Sequence, residues 1–174
     1  MPFDATGVTV RSGAGADDRP AGSAGTRGYA SGMPTEDEAY RELSAYTLGL
    51  RDASFIHQHV VDAYTVHAAT ASDEPIRVAQ ALVGLFLHVE HGLTGRQVQR
   101  VHQILAAHRP TWPAFAFPDD CGPVTVHDVI AAPPGERRDH AIEAWATTTW
   151  HACRGLRGQV LAFLSSHGIT RPGR

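Results

Sequence analysis

Lysine is missing from this 174-residue chain, and all 15 basic residues are arginine. With a formal net charge of -3, the sequence has no strongly basic footprint. That argues against nucleic-acid binding, which depends on neutralising phosphates. Cysteine is scarce: Cys121 and Cys153 are the only two and lack metal-knuckle spacing, so a disulfide scaffold and a zinc finger are both disfavoured. No run of about 18 apolar residues occurs, which excludes a membrane-spanning helix. There is no Gly-rich phosphate loop, no G-x-S-x-G elbow and no H-E-x-x-H pair, so three common enzyme signatures are absent. Period-two alternation is confined to fragments near Val8 and Val124, and no internal repeat is visible.

What remains is enough apolar material for one packed core, with 43% hydrophobic and 19% charged residues. Residues 1–34 read as a flexible tail, because Arg11 to Gly32 is mostly Gly, Ala, Ser, Asp and Arg and cannot offset its ordering entropy by burial. The tail shows neither an apolar signal region nor a twin-arginine pattern, so the expected location is the cytoplasm. Residues 35–170 read as one all-α domain, a bundle of four to five helices.

The helix boundaries have local causes. Thr35 with Glu38 and Thr94 with Gln97 have capping-box spacing and open helices running to about Leu50 and His108. Asp52 is a plausible N-cap for a second helix, about 53–70. Pro75 begins and Gly92 ends a third. Arg109-Pro110-Thr111-Trp112-Pro113 stops the fourth. Thr125 with Asp128 opens a short helix to about Ala132, and a last long helix spans about 135–166.

Histidine is over-represented, with 11 residues, six of them (His57, His59, His67, His88, His91 and His102) between positions 57 and 102. On a helical wheel His59 shares the apolar stripe of Phe55, Ala63 and Val66, and Asp62 lies one turn on. The third helix is apolar nearly all round, as a buried helix is, and carries His88 and His91 at i, i+3. Gly84 and Ala81 on the same face leave room for a neighbouring helix, an ion or a substrate. In the fourth helix His102 lies on the stripe of Val98 and Leu105. Several imidazoles and a carboxylate in one apolar interior are costly unless they are paired or hold a metal. Helix bundles build metal sites from such i, i+3 pairs.

His59, Asp62, His88, His91 and His102 are therefore the candidate ligands of a mononuclear transition-metal site, with iron or zinc first and manganese, copper or nickel behind them. Glu90 and Gln99 are the candidate catalytic groups beside them. The expected function is a metal-dependent enzyme acting on a small-molecule substrate, oxidoreductase ahead of hydrolase or transferase. A homodimer is left open, and neither nucleic acid nor membrane is an expected partner. The alternative is a non-catalytic helical interaction module with a structural His/Asp network or a structural metal. A metal-free His/Asp acid–base site is a further reading.

Tyr40-Arg41-Glu42-Leu43-Ser44-Ala45-Tyr46-Thr47-Leu48, His57-Gln58-His59-Val60-Val61-Asp62-Ala63, Leu87-His88-Val89-Glu90-His91-Gly92 and Thr94-Gly95-Arg96-Gln97-Val98-Gln99-Arg100-Val101-His102, with the later Trp112-Pro113, carry a resemblance. Through them the block from about Ala39 to Ile169 resembles a family of uncharacterised bacterial proteins known only as a domain of unknown function. The resemblance implies no activity. It leads to glutamine being expected where His67 stands, so no ligand role is assigned to His67. A looser similarity, of architecture alone, is to four-helix proteins of the DinB type, which carry a three-histidine metal site.

Overall fold

The computed structural model describes residues 33–70 and 72–169. The tail expected over residues 1–34 lies almost wholly outside them. Among the described residues the chain forms seven α-helices and no strand: α1 (Glu36–Gly49), α2 (His57–His67), α3 (Pro75–His91), α4 (Gly95–Ala107), α5 (Val126–Ala131), α6 (Glu136–Ala152) and α7 (Arg157–Ser166). No described helix is long and apolar enough to cross a membrane.

The sequence signals for starts and stops are used as read. Thr35, Thr94 and Thr125 each accept a backbone N–H through the side-chain oxygen, and Glu38, Gln97 and Asp128 reach back to the cap, completing three capping boxes. Pro75 opens α3, and Gly92, at φ +67°, closes it in a left-handed turn that glycine enters without a steric penalty.

Two boundaries differ from expectation. Asp52 does not cap α2 four residues early. Its carboxylate instead accepts the N–H groups of Ser54 and Ile56, building a turn in which Phe55 sits at φ +62°. That conformation costs a non-glycine residue about 1–2 kcal/mol. It is offset by the first turn of α4: Arg96 donates its backbone N–H to the Ser54 carbonyl and its Nε to that of Ala53, and stacks its guanidinium over the Phe55 ring. The start of α2 is thus tied to α4. The expected last long helix is instead two. It breaks at Cys153, where Arg154–Leu156 forms a 3-10 turn that buries Leu156, and Gly155 and Gly158 weaken any continuous helix there.

α2 is the centre of the bundle and packs against α1, α3, α4 and α6. The core around it is filled by Leu43, Leu82, Leu85, Phe86, Leu105, Ile142, Trp145, Trp150 and Leu164. α2 and α3 run antiparallel, since His59 meets His88 and Asp62 meets Gly84. α6 packs across both. The tyrosines act as packing and tethers: Tyr40 stacks on Tyr64 at 3.9 Å, and Tyr46 donates to Asp139 and accepts the Gly135 N–H. Arg138 is buried, yet satisfied, because it donates to the Ile130 and Ala132 carbonyls at the end of α5.

The α2–α3 contact is closest at Gly84, where a Cβ would lie 2.0 Å from Oδ2 of Asp62 and 2.7 Å from its Cγ. Gly84→Ala is therefore expected to destabilise the fold by about 1–3 kcal/mol in urea unfolding, as overpacking does. In an Asp62→Ala background the same change should cost much less. Equal costs in both backgrounds would refute the contact as the cause.

Candidate metal centre

His59 enters the site from the third position of α2, where it is 3% exposed. It stacks on the His88 imidazole, with centroids 3.6 Å apart and planes at 21°. His88, near the end of α3, is fixed at both ring nitrogens. Nδ1 lies 3.0 Å from the carbonyl of Leu93, so this nitrogen donates, and Nε2 lies 2.7 Å from Oε2 of Glu143 on α6. His59, His88 and Glu143 each present one donor atom such that all three lie within 4.8 Å of one another, the one such group among the described residues.

The electrostatics differ sharply between the two rings. Burial, reinforced by the neighbouring His88, pushes the His59 pKa down to about 3, so this ring stays neutral. Nδ1 of His59 is buried without a hydrogen-bond partner. Burial also pulls His88 down, but the hydrogen bond and charge of Glu143, with the Leu93 carbonyl, outweigh it, and its pKa is raised. The His88 hydrogen bond lowers the Glu143 pKa against its partial burial. A proton is thus shared between His88 and Glu143, whose side chain is 45% exposed and forms the open edge of the site. Two imidazoles and one carboxylate are a donor set that holds a divalent transition metal, and a mononuclear site with three protein ligands keeps a coordination position open.

The five ligand candidates do not meet at one point. His59 and His88 come together. Asp62, though beside His59 on the wheel, is turned about 60° from it, which carries its side chain away from α6. Its Oδ1 accepts from Nε2 of Gln58 at 2.8 Å, and it lines a separate cavity with His102 of α4. His91 is exposed and edge-on to Phe86. Neither does the pair of candidate catalytic groups join the cluster. Glu90 accepts from Nε1 of Trp150 at 3.1 Å and from Nε of Arg157 at 2.8 Å, a bridge from α3 to α6 and α7. Gln99 is partly buried on α4 and lines none of the described cavities. His67 bonds Thr149 through Nε2 at 2.9 Å, and His57 bonds Thr47 through Nδ1 at 2.8 Å.

Glu143 was not among the candidates. It follows buried Ile142, at the edge of the apolar stripe of α6. His140 and Glu143 have the i, i+3 spacing that marked the pairs on α2 and α3, the one signal in the sequence that pointed toward it, but His140 is exposed and spacing alone does not show which neighbour Glu143 faces.

Fold and site together define an all-α bundle with a partly buried His/His/Glu group at the junction of three helices. The chain belongs to a family of unknown function, DUF5946, which matches residues 32–154 and so covers all three residues of that group. No curated protein and no solved structure matches the chain.

His102 provides a test of how the interior treats charge. Burial depresses its pKa to about 4, against a smaller opposing hydrogen bond to the Gln80 backbone. The unfolded chain, in which the ring has its ordinary pKa of 6.5, then binds more protons than the folded one between about 6.5 and 4. Its contribution to stability is therefore full above about 6.5 and lost as pH falls toward 4. In urea unfolding at pH 7, 5.5 and 4.5, His102→Leu is expected to flatten the acid loss relative to the parent chain. Parallel pH profiles would overturn this assignment.

Proposed function

We propose that this protein is a metal-dependent enzyme acting on a small molecule, with one transition-metal ion held by His59, His88 and Glu143. The observation that carries the reading is His59: a neutral, buried imidazole with an orphaned nitrogen, stacked on a second imidazole that touches a carboxylate. A buried polar atom without a partner costs about 1–3 kcal/mol, a cost that an ion ligated through that nitrogen would remove. The two-histidine, one-carboxylate set is that of non-haem iron(II) oxygenases, which puts oxidation first. The same donors suit catalytic zinc, which puts hydrolysis or group transfer second. In either case the ion supplies Lewis acidity and an open position, while the chain fixes the ligands. The Leu93 carbonyl acts in this sense, holding the proton on Nδ1 of His88 so that Nε2 faces Glu143.

One observation favours a second reading, a helical module in which the cluster is a structural network. His88 and Glu143 touch at 2.7 Å, closer than the roughly 3 Å that two donors on ~2.1 Å bonds keep on one ion. Metal entry requires Glu143 to withdraw slightly and the shared proton to leave.

Protein purified without a histidine tag, then reconstituted with iron(II) under anaerobic conditions or with zinc, separates the two. The enzyme reading expects about one equivalent of metal per chain and release of about one proton per ion in weak buffer. It also expects His59→Ala and Glu143→Ala to abolish uptake while helicity is kept. Less than about 0.2 equivalents of any transition metal after reconstitution would sink it. The structural reading expects the same substitutions to lower the melting temperature with no metal bound at all.

A further inference from the structure

Cys121 and Cys153 are the chain's two cysteines, and both are free thiols. Cys121 stands in the loop between α4 and α5, and Cys153 caps the C-terminus of α6 where the 3-10 turn begins. A run of contacts brings the two segments to one place. Sγ of Cys121 lies 3.7 Å from the Val66 carbonyl oxygen at the end of α2. The next residue, His67, bonds the Thr149 hydroxyl through Nε2 at 2.9 Å. Thr149 precedes Cys153 by one turn of α6, and its carbonyl accepts the Cys153 N–H at 3.2 Å. Gly122, beside Cys121 and at φ +112°, passes so close to α6 that a Cβ would lie 3.0 Å from the Thr148 carbonyl oxygen. Cys121 accordingly packs against the core cluster that contains Cys153.

The two thiols differ in access and in acidity. Cys153 is buried, whereas Cys121 is half-buried and lines a cavity of about 480 Å³ with Val66, His67 and Phe117. Burial raises the Cys121 pKa, and the Cys153 thiol opposes that rise. Burial, and then the charge that Cys121 takes on, push the Cys153 thiol up to about 12. Cys121 is thus the thiol that ionises first and the one a small molecule reaches. Cys121 lies outside any helix and Cys153 at a helix end, so a small shift of either toward disulfide geometry breaks no helix.

We infer that Cys121 and Cys153 form a redox-active dithiol, a modification site at which a low-molecular-weight disulfide is reduced and an intramolecular disulfide ties the α4–α5 loop to α6. The exchange takes two steps. The Cys121 thiol gives its proton to solvent and attacks one sulfur of the small disulfide. An Sγ–S bond forms, the small S–S bond breaks, and the departing thiolate takes up a proton. Cys153 then loses its proton and attacks Sγ of Cys121. The Cys121–Cys153 bond forms and the second small thiolate is expelled, to be protonated in turn. Two protein thiols are oxidised and one small disulfide is reduced to two thiols, so two electrons and two protons pass to it. A cross-link of this kind is reversible, unlike the disulfides of a secreted scaffold. The inference does not depend on a metal.

The test uses the full chain, reduced and in EDTA, incubated with excess hydroxyethyl disulfide and then denatured and alkylated. A pH of about 8.5 leaves some thiolate in spite of the raised pKa values. The intact mass is expected to show the loss of two hydrogens and no alkyl group, and a peptide map to join residues 121 and 153 within one chain. Dithiothreitol should reverse both. The melting temperature of the oxidised chain is expected to rise by about 5 °C or more, because the cross-link restricts the unfolded state. Cys153→Ala should stop at a mixed disulfide on Cys121, while Cys121→Ala leaves Cys153 unmodified in the folded chain. Two alkylated thiols after exhaustive exposure, or a disulfide between chains instead of within one, would overturn the inference. So would a parent chain that halts at the mixed disulfide, or a closed disulfide that leaves the melting temperature unchanged.

Discussion

The α3 backbone at Gly84 passes so close to the Asp62 carboxyl that no side chain fits between them. This contact brings α2 and α3 together along an antiparallel seam, and the polar groups of the interior are arranged on either side of it. One turn along α2 from Asp62 and one turn along α3 from Gly84, the same close approach puts His59 and His88 face to face. Facing α4, it leaves the cavity that Asp62 and His102 line. A bulkier residue at position 84 would disturb both regions, because the two share the α2–α3 spacing.

The interior holds His59, His102 and Asp62 in their uncharged forms. Desolvation lowers His59 and His102 and raises Asp62, so imidazoles and carboxyl alike are kept neutral by the same low dielectric. The exception is the His88–Glu143 pair, where a half-exposed carboxylate can keep its charge and lend it to a buried ring. Charge therefore reaches the paired histidines from α6. That makes Glu143 the group through which the buried histidines respond to solvent, to protons or to an ion.

Much of the fold was legible because its causes are local. Threonine caps, Pro75 and Gly92 act within a turn of where they stand, and the all-round apolar α3 can only be a buried helix. The break at Cys153 was not legible, because it depends on burying Leu156 against the rest of the bundle. For the site, the wheel placed His59, His88 and His102 on inward faces, and all three are largely buried. A wheel gives a direction relative to one helix, however, and not which neighbour lies there. His59 and Asp62 differ by about 60° on α2, enough to send one to α6 and the other to α4. Glu143 escaped notice for the same reason: only the packing of α6 across α2 and α3 shows that a residue at the edge of its stripe faces the histidines.

The turn that ends α3 has a second role. Gly92 swings the chain back so that the Leu93 N–H returns to the Leu87 carbonyl, and the Leu93 carbonyl then meets the His88 ring from the side opposite Glu143. The helix terminator is thereby also a rotational lock on an imidazole. Loosening that terminator would free the ring to spin, and the change would register at Glu143 on another helix without any atom of the trio being replaced.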